Sequence, residues 1–125
     1  MPSNRRQFVD EIRTFVEVKV VEDTVQLARR IGLELISRIV KRTPVDTGRA
    51  RANWQLQFNE VNDAEVFEQD PVSAALSKLS NVGGLGTIYI FNNVPYIEAL
   101  ERGHSKQAPN GMVALSVAEV EAAFP

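Results

Sequence analysis

The chain has 125 residues, 44% hydrophobic and 24% charged, with a net charge of −2, and this size and balance fit one globular domain. It has no cysteine, which excludes disulfide staples, thiolate nucleophiles and zinc–thiolate sites. No apolar run approaches the ~20 residues of a membrane span, and Met1–Arg6 is not followed by a signal-peptide core. The charge is unevenly placed: residues 1–58 carry 11 Lys/Arg against 7 Asp/Glu, and residues 59–125 carry 3 against 9. A chain with one basic and one acidic half can attract copies of itself head to tail, although simple solvation explains the same pattern.

From Phe8 to Val40 apolar residues recur at helical spacing. The stronger stripe is Val21, Val25, Ala28, Leu35 and Ile39, flanked by Leu27 and Ile31, with Gln26, Arg30, Glu34, Ser37 and Lys41 opposite. Phe8, Ile12 and Phe15 form a shorter one. Crowded β-branched residues at Val18–Val21 predict a break there, giving two helices or one bent helix. Thr43 and Pro44 end the helical pattern, because the residue before a proline avoids the α region. Asp46-Thr47-Gly48 then supplies turn chemistry.

Arg51 to Asn59 alternates strictly, with Ala52, Trp54, Leu56 and Phe58 on one side and polar residues on the other. The pattern predicts a half-buried antiparallel strand with a polar outer face. Trp54 reads as core, with an interface anchor as the alternative. A short strand is predicted through Glu65-Val66-Phe67. Two helical turns are predicted over Pro71–Leu79, with Asp70 as cap and Pro71 at the first position. Asn81–Gly86 is glycine-rich and reads as a hinge, so 60–86 is expected to be a flexible insertion in the single domain 1–125.

Thr87–Phe91 is apolar on both faces and reads as a central strand. Pro95 opens a short helix with Tyr96, Ala99 and Leu100 on one face, closed by Gly103. Met112–Phe124 is ambiguous: its length and alanine content favour helix, and Val113, Leu115 and Val117 alternate as in a strand.

Enzyme signatures are missing from the sequence. His104 is the single histidine, so no multi-histidine metal site exists, and its loop suits a surface or interface role better than catalysis. The glycines of 83–86 match neither a dinucleotide fingerprint nor a P-loop. Glu98 and Glu101, three apart, read as solvated helix acids rather than a proton-sharing or cation-binding pair. No cofactor or metal is expected. Arg29, Arg30, Arg38, Lys41, Arg42, Arg49 and Arg51 cluster around the second helix and the elbow, which raises nucleic-acid contact as an alternative. Interleaved acids and the want of a stacking set argue against it.

The segment Thr43-Pro44-Val45-Asp46-Thr47-Gly48-Arg49-Ala50-Arg51-Ala52-Asn53-Trp54 resembles an element of small tailed-bacteriophage neck, minor-tail and tail-completion proteins. Phe91 to Gly103 resembles the family's second element, an asparagine and an aromatic followed by glutamate and glycine, and Ser105–Val113 continues the likeness. The resemblance covers roughly residues 21–120. It implies an α+β fold, with N-terminal amphipathic helices packed on a small, mainly antiparallel sheet and a C-terminal helix. It also implies a non-catalytic virion protein assembled in the host cytoplasm as a homo-oligomeric ring, a hexamer or dodecamer. Such a ring joins the head connector or adaptor to tail-tube or tail-terminator proteins, with DNA passing through its lumen and no membrane contact. The expected assembly residues are Pro44, Asp46, Thr47, Gly48, Arg49, Arg51, Trp54, Tyr96, Glu98, Glu101, Arg102, His104 and Lys106. Arg49 and Arg51 are expected to pair with Glu98 or Glu101, within or between subunits. The alternative is a small DNA-contacting or DNA-packaging accessory protein using the basic second helix.

Overall fold

Apolar residues on both faces of Gly86–Asn92 (β3) place this strand at the centre of the sheet. A computed structural model describes residues 15–21, 24–45, 48–66, 70–103 and 105–124. Among these, β3 pairs antiparallel with Val16–Val20 (β1) on one side and Trp54–Phe58 (β2) on the other. The helices are Val25–Arg42 (α1), Arg49–Ala52 (α2), Pro71–Leu79 (α3), Ile97–Glu101 (α4) and Val113–Ala123 (α5). The fold is α+β: a helix layer led by α1 lies on a small antiparallel sheet, and the chain ends in a helix.

β1 corrects the expectation of helix with a break at Val18–Val21. Val-Glu-Val-Lys-Val alternates at period two, its β-branched side chains suit a pleated surface, and the flank of β3 offers a ladder. Val21, assigned to the helical stripe, lies outside α1 and is 49% exposed. Phe8 and Ile12 lie outside the described residues. α1 buries Ala28, Gly32, Leu35, Ile36 and Ile39 against the sheet and α3. Burying an isoleucine such as Ile36 contributes roughly 1.5–3 kcal/mol. At Gly32 a Cβ would sit 3.2 Å from the end of the Leu79 side chain, a tight contact that asks Leu79 to give slightly, and 3.6 Å from Ile88, an ordinary one.

β2 is shorter than its sequence pattern. Arg49–Ala52 closes into one helical turn, and the strand begins at Trp54. Its expected polar outer face is also covered, with Gln55 buried. Residues 60–66 fold over it, where Gln55 Nε2 donates to Ala64 O (3.0 Å) and Asn62 Nδ2 donates to Gln55 Oε1 (3.0 Å). The short strand expected at 65–67 is irregular through Val66, and Phe67 lies outside the described residues.

The segment 60–86 carries structure of its own. Asp70 caps α3 by accepting from Val72 N (3.1 Å) and Ser73 N (3.3 Å), with Pro71 at the first position, as the sequence predicts. Ala75, Leu79 and Val82 are buried, and Arg29 Nε donates to Val82 O (2.9 Å). In α4 the buried residue is Ile97 rather than Tyr96, which caps the helix and is 39% exposed. The ambiguous C-terminal segment is the helix α5, which packs on α1. Among the described residues, no helix is long and apolar enough to cross a membrane.

Candidate assembly interface

The elbow after α1 is built on Thr43. Its extended conformation (φ −69°, ψ 128°) is the one a following proline favours. Its hydroxyl donates to Ile39 O (2.7 Å) and accepts from Trp54 Nε1 (2.7 Å), with both residues buried. Phe15 packs edge-on against Trp54 at 5.4 Å between ring centroids. Arg51 then closes the elbow from outside. Its Nη2 donates to Thr43 O (2.9 Å) and Lys41 O (3.3 Å), placing a cation on the carbonyl end of α1. Trp54 and Arg51 therefore have duties inside the chain, and the fully buried Trp54 offers no surface to a neighbour.

α2 is held the same way. The buried Asn53 donates to Arg49 O (2.8 Å) and accepts from Val66 N (2.7 Å), and the buried Asn92 donates to Ala50 O (2.8 Å) and accepts from Val94 N (3.0 Å). The Ala50 carbonyl, which also accepts from Asn53 N (3.2 Å), thereby gains a second donor. Arg49 forms a two-pronged ion pair with Glu65, both N···O distances being 2.7 Å, and its guanidinium lies 5.6 Å from the Tyr96 ring centroid. The Arg49 hydrogen bonds hold the Glu65 carboxyl below its ordinary range, and Glu65 raises the Arg49 guanidinium in return.

The expected pairing of Arg49 and Arg51 with Glu98 or Glu101 is not made within the chain. Glu98 reaches Arg102 instead, at 3.5 Å on the surface. Glu101 caps α5: Oε1 accepts from Met112 N (2.9 Å) and Val113 N (2.8 Å), and Oε2 from Ala114 N (3.1 Å). A carboxylate reaching back from the preceding helix meets the exposed N–H groups and the positive end of the helix dipole. Gly111 makes room for it, with φ +81° and a would-be Cβ only 2.3 Å from Glu101 O. No local sequence signal marks a cap twelve residues upstream of the helix it serves.

The two sequence segments meet across the elbow. Gln107 grips the backbone of Val45, accepting from its N–H (3.0 Å) and donating to its carbonyl (3.3 Å). Beside this bridge lies a groove of about 570 Å³ lined by Pro44, Gly48, Arg49, Ala50, Tyr96, Leu100, Ser105 and Gln107. On its other side a pocket of about 220 Å³ is lined by residues that include Lys41, Pro44, Arg51, Gln107 and Leu115. Of the expected assembly residues, Pro44, Gly48, Arg49 and Tyr96 share the larger groove. Lys106 and Arg102 are exposed nearby in sequence, and Asp46, Thr47 and His104 lie outside the described residues. Sequence reasoning missed Gln107 and Glu65, whose roles depend on partners 62 and 16 residues away.

The basic cluster is largely engaged. Arg29 binds carbonyls after α3; Arg38 pairs with Glu34 (3.1 Å) and Glu119 (3.0 Å); and Arg42 binds Ser116 Oγ (3.0 Å) and Glu119. Arg30 stacks its guanidinium 5.4 Å from the Phe124 ring. Among the described residues, no group of three His, Cys, Asp or Glu is placed to hold a metal ion. No family model, no curated protein and no solved structure matches this chain.

Proposed function

We propose that this chain is a structural subunit of a tailed-phage head–tail joint, assembling with copies of itself into a ring between head connector and tail. The observation that carries the reading is the convergence of the two family-like segments, Thr43–Trp54 and Phe91–Val113, on one groove with an exposed tyrosine. An apolar-walled groove with an aromatic at its rim suits a docking protein segment. The engagement of Arg29, Arg38, Arg42, Arg49 and Arg51 inside the fold favours this reading over DNA contact, which needs free cations along one face.

Tyr96→Ser is the test, because the side chain is exposed and its loss leaves the core intact. The expected outcome is wild-type thermal stability with loss of the chain from purified particles and of particle-sized rings by mass measurement. Unchanged incorporation removes the groove from the interface. Absence of the wild-type chain from particles ends the virion reading. DNA affinity that falls steeply with salt favours the accessory-protein alternative.

A further inference from the structure

On the outer face of β2, residues 62–66 bond to the side chains of Asn53 and Gln55. Beyond β1, no described residue pairs with the strand. Which backbone groups face that edge follows from parity. Thr87 exchanges bonds with Asn59 on the β2 side, Asn59 N donating to Thr87 O (2.8 Å) and Thr87 N donating to Asn59 Oδ1 (2.9 Å). Ile88 and Ile90 therefore turn their backbone groups toward β1, where they meet Val18 and Val16. Phe15 N also donates to Ile90 O (3.2 Å), a bulge that starts the strand. The N–H and C=O groups of Glu17 and Lys19 are left pointing outward.

Those two residues are also exposed and carry opposite charges one place on either side of Val18. We propose that β1 pairs antiparallel with β1 of a second copy, centred on Val18, to make one continuous sheet across a two-fold dimer. In that register Glu17 lies opposite Lys19 of the second copy, and Lys19 opposite its Glu17. Both positions present outward backbone groups, so each pair exchanges its two N–H···O bonds. The half-buried Val16 and Val18 gain cover from their counterparts on the core side. Lys19 Nζ donates to Thr87 Oγ1 (3.2 Å), and an ammonium has further donors for a carboxylate. Charge that guards an edge repels a second strand; here the alternation of sign favours one partner, this strand reversed.

The pairing is independent of the ring reading, since it concerns the free chain in solution. Sedimentation equilibrium of the full chain is expected to show a reversible dimer. Glu17→Lys sets lysine against lysine twice and is expected to weaken it by roughly tenfold, as two inverted cross-strand pairs do. The double variant Glu17→Lys/Lys19→Glu restores opposite charges and is expected to recover wild-type association. Matching circular dichroism melts establish that the subunits stay folded. A chain that is monomeric at ~100 μM, far above the micromolar Kd of even a modest interface, overturns the proposal. So does a dimer that ignores Glu17→Lys, or a double variant no better than the single one.

Discussion

Two junctions fasten the C-terminal end of α1, and both are polar. At one, Thr43 and Trp54 share a hydrogen bond that no water reaches. At the other, Arg38 and Arg42 converge on Glu119 of α5, a side chain 45% exposed. Their chemistry would suggest that the charged clasp is the stronger. Burial reverses that order. A neutral hydrogen bond in the interior leaves an orphaned donor when cut, whereas an exposed ion pair returns to water and salt at little cost.

The largest effect separating the two is expected from Trp54→Ala, which empties the space among Thr43, Phe15 and the sheet. We expect a loss of about 3–5 kcal/mol in denaturant unfolding. Thr43→Val keeps the volume and strands the indole N–H, and about 1–3 kcal/mol should go with it. A smaller loss from Thr43→Val than from any α5 clasp variant would contradict the comparison. Glu101→Ala falls between, at about 1 kcal/mol, the usual worth of a helix cap, and should fray α5 in hydrogen exchange without disturbing β3.

The smallest effect should come from Glu119→Gln, a slight drop in melting temperature that shrinks further in high salt. Its signature is the pH profile. Hydrogen bonds from Arg42 and then Arg38 lower the folded-state pKa of Glu119 below its ordinary 4.5. Its stabilisation is therefore present above pH 4.5 and lost as pH falls through the lowered folded value. The wild type and the Gln variant should converge in stability across that window. Glu65, lowered by Arg49, titrates with the same sign.

Much of this fold could be read in the sequence wherever the signal was local. Asp70-Pro71 announced α3, Thr43-Pro44 announced the end of α1, and the apolar run at 87–91 announced the central strand. Val16–Val20 is not legible as a strand because its three alternating valines merge into neighbouring helical spacing, and only β3 beside them selects the strand. Arg51 and Ala52 fit a strand pattern by alternation, yet Asn53 and Asn92 hold the stretch in a helical turn. The candidate site was legible as two segments, but the partners inside each were not. Arg49 found Glu65 rather than Glu98, and Glu101 found a helix end rather than an arginine.

By itself the sequence determined where α1 ends, which of its faces is apolar, where α3 is capped, and that 54–58 and 87–91 would be strands. These follow from rules acting over a few residues: propensity, periodicity, capping and proline sterics. The tertiary structure alone decided that Thr43 and Trp54 would share a buried hydrogen bond, that Gln107 would hold Val45, and that the basic helix would spend its arginines on carbonyls and acids of its own chain. Each of those outcomes depends on distance between segments remote in sequence, and that distance exists only once the core has closed.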